Sequence, residues 1–109
     1  EATAKQHGLS YELTPTADFP PLDFHPSCVN AVRDAASVLG LSHMDIVSGA
    51  GHDAIFVAER GPAGMIFVPC EGGISHNEIE NAAPDDLADG CAVLLRAMVN
   101  AAQQGGEAA

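Results

Sequence analysis

Two short stretches hold the residues best suited to chemistry: Ser48-Gly49-Ala50-Gly51-His52-Asp53 and Gly72-Gly73-Ile74-Ser75-His76. In the first, the glycines let the backbone turn sharply and come close to a ligand. His52 and Asp53 enter the first turn of an expected helix, whose free N–H groups favour anions. The third glycine of the dinucleotide-binding pattern is missing, and Asp53 would repel a phosphate. Taken alone, an ordinary turn is the simpler explanation. In the second stretch, His76 sits in a glycine-softened loop where an imidazole nitrogen could reach a metal. Ile74 would anchor that loop in the core, and Glu80, four residues on, could orient the ring as a supporting carboxylate. A solvent-exposed histidine fits the same residues.

Other constellations carry less. A Ser-His-Asp triad can be drawn from Ser48 or Ser75, His52 or His76, and Asp53, but no G-x-S-x-G elbow supports it. The acidic cluster Glu78, Glu80, Asp85, Asp86 and Asp89 lacks EF-hand spacing and reads as a solvated, helix-starting face. Cys28, Cys70 and Cys91 form no C-x-x-C pair, so neither a disulfide framework nor a cysteine zinc site is indicated. Cys28 and Cys91 fall on apolar helix faces as buried thiols, whereas Cys70 lies beside the His76 loop. His7, His25 and His43 read as surface or capping residues.

The elements that must position these loops follow from punctuation and periodicity. Residues 1–8 read as the last turns of a helix closed by Gly8. Leu9, Tyr11 and Leu13 alternate as one face of a half-exposed strand over residues 9–14. Pro15, Pro20 and Pro21 then mark an extended crossover, the clearest boundary in the chain. Pro26 opens a helix whose stripe is Cys28, Ala31, Val32, Ala35, Ala36 and Leu39, closed by Gly40. Met44–Val47 and Met65–Val68 read as two short buried strands, separated by a short helix over Ala54–Ala58. Pro84-Asp85-Asp86 starts the last helix, with Leu87, Cys91, Leu94, Leu95 and Met98 on its buried face. The tail from Gln103 is expected to fray. This alternation is an α/β order. If the two strands run parallel, both histidine loops emerge at one sheet edge, where such folds place ligands.

Composition bounds the partners. Four basic residues face fifteen acidic ones in 109 residues, a net charge of −11. That balance argues against nucleic acid and against an anionic membrane, since phosphate binding needs a basic surface. No run is long and apolar enough to span a bilayer, and no signal-peptide pattern opens the chain, which together suggest a cytoplasmic protein. The sequence begins mid-pattern without methionine, as expected of the C-terminal piece of something longer.

Ser-Gly-Ala-Gly-His-Asp-Ala (48–54), Met-Ile-Phe-Val-Pro-Cys (65–70) and Gly-Ile-Ser-His-Asn-Glu (73–78), taken together and in this order, resemble the amidase/hydantoinase/carbamoylase branch of the M20 metallopeptidase-like family. That branch includes N-carbamoyl-L-amino-acid hydrolases, β-ureidopropionases and allantoate amidohydrolases. Pro-Asp-Asp-Leu-Ala-Asp-Gly (84–90) fits the start of the family's final helix, and the match covers roughly residues 20 to 100.

The resemblance implies a catalytic α/β domain with two divalent metals (zinc, manganese, cobalt or nickel), interrupted by an inserted α+β lid that also dimerises. Residues 1–14 would then end the lid, 15–25 would form the hinge crossover, and 26–109 would be the C-terminal part of the catalytic domain. His76 matches the family's last metal ligand. His52 matches a histidine lying at the substrate, and Gly49, Ala50 and Gly51 match a loop whose backbone lines the pocket. Asp53 would position neighbouring groups. The implied chemistry is metal-assisted hydrolysis of a ureido C–N bond, with a carboxylate as general base and His52 stabilising the oxyanion or holding the substrate. The other metal ligands, the catalytic carboxylate and the lid's substrate-clamping residues have no counterpart here, so the 109-residue chain alone is expected to be inactive. The preferred substrate is an N-carbamoyl-L-amino acid, with allantoate and N-carbamoyl-β-alanine as alternatives. A non-catalytic α/β binding module using the same loops is the alternative from another class.

Overall fold

Helix boundaries follow the local signals closely. The computed structural model describes residues 1–107, with side chains through residue 105. Among the described residues there are four α-helices, α1 (Ala2–Gln6), α2 (Pro26–Val38), α3 (Ala54–Ala58) and α4 (Pro84–Glu107), with a 3₁₀ turn at Glu71–Gly73.

Helices α1 and α2 close in the same way. Gly8 and Gly40 adopt left-handed backbone, with φ of 65° and 71°. After α2, the Gly40 N–H reaches the Ser37 carbonyl at 3.0 Å and the Leu41 N–H reaches that of Ala36 at 2.9 Å. Gly8 and Leu9 make the equivalent pair after α1, to Lys5 at 3.1 Å and Ala4 at 2.9 Å. This is the Schellman arrangement, and glycine is the residue that enters it without a steric penalty. At the other end of α2, His25 Nδ1 accepts the Ser27 backbone N–H at 3.1 Å while Pro26 occupies the first turn. The expected capping role of His25 is therefore met. His7 ends α1, and His43 sets its Nδ1 3.1 Å from the Leu41 carbonyl.

The core lies where α2 packs on α4. Its buried residues are Ala35, Ala36, Val93 and Ala97, with Ala31, Val32, Leu41 and Ile66 packed partly against them. Two glycines bring the extended 64–68 segment onto this pair. A Cβ on Gly64 would stand 2.9 Å from Cys28 Cβ, and one on Gly90 would stand 2.6 Å from Val68 Cγ1. Both contacts are too close for any larger residue without a shift. The His25 N–H also bonds the Ala63 carbonyl at 3.3 Å, fixing the segment's start beside α2. Farther off, Phe19 of the proline-rich stretch meets Phe56 of α3 edge to face, with ring centroids 6.4 Å apart.

The expected strands are the main departure. Among the described residues no strand is formed, so 9–14, 44–47 and 65–68 are extended chain. A strand exists through its ladder, and no backbone hydrogen bond joins 44–47 to 65–68. The faces are open too: Leu13 keeps 84% of its surface and Val47 keeps 97%. The radius of gyration is 19.5 Å, against about 13 Å for a compact chain of this size.

Helix α4 brings a second correction. Leu87, Cys91, Leu94, Leu95 and Met98 were expected to be buried, but Val93 and Ala97 take that place and those five stay exposed or half-buried. Leu87, Cys91, Leu94 and Met98 instead line an open apolar groove of about 420 Å³, facing Cys28, Val32, Ile66 and Val68. Their helical spacing is right, but no described residue fills the space before them. A third correction concerns the tail. The helix continues through Gln103 to Glu107, because no stop signal precedes Gly105; Ala108 and Ala109 lie outside the described residues.

Candidate functional site

The 48–54 loop is built around one hydroxyl. Ser48 Oγ accepts the Ala50 backbone N–H at 3.2 Å, lies 3.3 Å from the Ala50 carbonyl, and stands 2.9 Å from His52 Nε2. Serine side chains favour such local turns because they offer the backbone a partner two residues on. Gly49 and Gly51 have nothing within 4 Å of a would-be Cβ, so their flanks are open to a ligand. The His52 ring meets Phe67 edge to face at 5.5 Å, which sets the loop against the 65–68 segment. Asp53 sits at the N-cap of α3 without a side-chain capping bond. Of the triad drawn from the sequence, the structure brings Ser48 and His52 together. It does not add Asp53.

The 70–81 loop is closed at its base and left-handed along its path. The Glu71 N–H bonds the Asn81 carbonyl at 2.7 Å, and Asn81 Nδ2 returns a bond to Glu71 Oε2 at 3.1 Å. Asn77 makes a further turn, accepting the Ile79 N–H at 3.1 Å through its side chain and the Glu80 N–H at 3.0 Å through its carbonyl. Gly72 and Gly73 have φ of 62° and 67°, and His76 joins them at 55°. Positive φ is uncommon outside glycine, and histidine is among the residues that tolerate it. Ile74 is half-buried and folds its Cδ1 back over Gly72. The expectation that Ile74 anchors the loop in the core is therefore not met, because its side chain turns back on its own loop instead of reaching the α2–α4 pair.

Glu80 is not where the sequence suggested. Its Oε1 lies 3.8 Å from Cys70 Sγ, and no bond to His76 is formed among the described residues. The spacing of four residues faces two side chains toward each other only on a helix, and residues 76–79 are bend and turn. Histidines 25, 43 and 52 each have a hydrogen-bond contact, and His76 is not among them. Its exposed imidazole is therefore free to act as a donor to a metal. A protein metal centre takes about three or four such donors, and among the described residues no three of His, Cys, Asp or Glu converge. His76 by itself does not make such a centre.

Sequence reasoning missed two contributors. Phe67 lies within the apolar 65–68 run, and its place between two histidine loops is the signal that could have marked it as a stacking partner. Asn81 gave no local signal, since its partner Glu71 is ten residues away.

Comparison with known proteins gives the family. The model of peptidase family M20/M25/M40 matches residues 4–100. An N-carbamoyl-L-amino-acid amidohydrolase of Rhizobium meliloti is 44% identical over 96 residues, covering 88% of this chain and 23% of that protein. A ureidoglycolate hydrolase of Oryza sativa subsp. japonica is 41% identical over 85 residues, 78% of this chain and 18% of its own length. Among solved structures, an amidase of the hydantoinase/carbamoylase family from Burkholderia vietnamiensis superposes with a TM-score of 0.84 at 49% identity, covering 91% of this chain and 24% of that one. The chain therefore spans less than a quarter of the length of each of these relatives. With a family model matched over nearly its whole length, this chain belongs to peptidase family M20/M25/M40.

Proposed function

We propose that this chain forms part of an amidohydrolase that splits the ureido C–N bond of an N-carbamoyl-L-amino acid, giving the amino acid, carbon dioxide and ammonia with one water consumed. The observation that carries the proposal is the Ser48–His52–Phe67 arrangement, which holds an imidazole beside an open two-glycine loop. The names borne by its relatives, carbamoylase and ureidoglycolate hydrolase, support a ureido substrate.

In this assignment the Gly49–Gly51 backbone lines the substrate pocket, and His52 donates a hydrogen bond to the carbonyl oxygen as negative charge develops there. A preorganised donor of that kind lowers the barrier because it need not reorient during the reaction. His76 contributes one imidazole to a divalent metal site. Bound divalent metals supply Lewis-acid polarisation and water activation to such hydrolyses. Homodimerisation, and the division into lid, hinge and catalytic parts at residues 14 and 25, belong to the same proposal.

The test is ammonia release by the polypeptide carrying this chain, expressed at the length of its relatives, with manganese, zinc, cobalt or nickel added. N-carbamoyl-L-amino acids are expected to be turned over faster than allantoate, ureidoglycolate or N-carbamoyl-β-alanine. A preference for one of the latter three reassigns the substrate, and no turnover of any of them defeats the proposal.

A further inference from the structure

We infer that Phe67 is the positioning residue that registers His52 against the 70–81 loop, keeping that imidazole at a fixed separation from the segment that carries His76. The inference rests on the amidohydrolase proposal above for its effect on turnover, whereas the contact itself stands on geometry. In extended chain, successive side chains point to opposite faces. Ile66 packs on the α2–α4 core, and Val68 Cγ1 lies against Gly90. Phe67, between them, is turned away from the helices. On that side its ring meets His52 edge to face, with centroids 5.5 Å apart. Aromatic rings favour this geometry because the positive edge of one meets the negative face of the other.

The two ends of the contact are held unequally. Phe67 belongs to a seated segment, since Gly64 admits Cys28 and Gly90 admits Val68 where no larger residue would. From there Val68-Pro69 leads into the 70–81 loop. The proline ring fixes its own φ and keeps the residue before it extended. Phe67 and the start of the His76 loop therefore move as one piece. The His52 loop has no such seat. Its hydrogen bonds, from residues 48–53, stay within 48–57 among the described residues. Gly49 and Gly51 have open space around them. Arg33 on α2 holds Asp45 at 2.7 Å, which places the approach to the loop and not the ring. Ser48 ties the His52 ring only to its own loop. What joins that ring to the segment leading to His76 is Phe67.

The test uses the polypeptide at the length of its relatives, with histidine labelled with carbon-13 at Cε1. The His52 signal, assigned by its loss in His52→Asn, is expected to be displaced by the ring current of Phe67. The displacement should collapse in Phe67→Leu, which keeps apolar bulk without a ring, and persist in Phe67→Tyr. Phe67 keeps 43% of its surface, so the tyrosine hydroxyl has room to reach solvent. In parallel, kcat for ureido hydrolysis should fall about twofold to tenfold in Phe67→Leu, the scale of one aromatic pair. KM should be nearly constant, because the His52 donor acts on charge that develops in the transition state. Bound metal should be unchanged, and Phe67→Tyr should recover most of kcat. A His52 signal indifferent to Phe67→Leu overturns the inference, whatever happens to kcat. Loss of metal in Phe67→Leu overturns it as well, because the residue would then hold its own segment and not the register. So does a moved signal with kcat unchanged. If the parent hydrolyses no ureido compound, the proposed function fails, and the signal alone decides whether Phe67 holds His52.

Discussion

The two histidine loops are built on opposite plans. In the 48–54 loop the side chain is held: His52 is engaged by Ser48 on one nitrogen and by Phe67 along its edge. In the 70–81 loop the backbone is held. The Glu71–Asn81 clasp shuts the base and left-handed residues shape the path, while the His76 imidazole has no partner among the described residues. The difference suits two kinds of work. A ring that must present one nitrogen in a fixed direction benefits from a partner on the other. A ring that must give a lone pair to a metal benefits from an unengaged nitrogen on a backbone that does not wander.

The strongest test of this contrast is His76→Ala in the protein at the length of its relatives. Metal retention, read by elemental analysis after dialysis, should weaken by at least about a hundredfold, since even partners behind a ligand are worth roughly ten- to a hundredfold. Activity should be lost with it. His76→Asn, which also tolerates left-handed backbone, should fail equally if the imidazole matters and be spared if only the φ does. Unchanged metal content in both variants removes the plan for the second loop.

Gly90→Ala acts on the support that the loops share. Its new Cβ would press Val68 Cγ1 at 2.6 Å, pushing out the segment that carries Phe67 and then leads into the 70–81 loop. Overpacking of this kind costs about 1–3 kcal/mol, measurable as a lower denaturant midpoint. Adding Val68→Ala should return part of the loss. If Gly90→Ala is neutral, the 65–68 segment is not seated where the structure puts it.

The smallest effect is expected from Asn81→Ala, which removes one arm of the clasp and leaves the backbone bond between Glu71 and Asn81. A net loss of about 1 kcal/mol is the scale of such a bond. It should appear as faster amide exchange in the 70–81 loop with no change in the 48–54 loop. Equal acceleration in both loops would show that they are not independently held.

The parts legible in the sequence were those fixed by neighbours in the chain. Pro26, Gly40, Gly8 and Pro84 each mark a helix end through chemistry contained within a few residues, and all four ends lie where these residues put them. The glycine-flanked histidines were legible for the same reason. Strands were not, because Met44–Val47 and Met65–Val68 have strand composition but acquire a ladder only from a second segment, and they do not supply one another. The α4 stripe shows the same limit. Leu87, Cys91, Leu94 and Met98 share a face as their spacing requires, yet whether a face is buried depends on what lies opposite. Glu80 failed through an assumption of helix where there is turn. Asn81 could not have been found, because a clasp across ten residues has no periodicity.

The thin alanine core has a consequence for handling the molecule. The extended run ahead of Pro69 leaves backbone N–H and C=O groups unpaired among the described residues, beside the apolar groove. Open edges of that kind invite another copy to add itself as a neighbouring strand. What opposes this is charge: at −11 on 109 residues, every copy repels every other. That repulsion reaches about 10 Å at 0.1 M ionic strength and about 3 Å at 1 M. Salt should therefore act on this chain as a precipitant, with association rising steeply between those two ionic strengths.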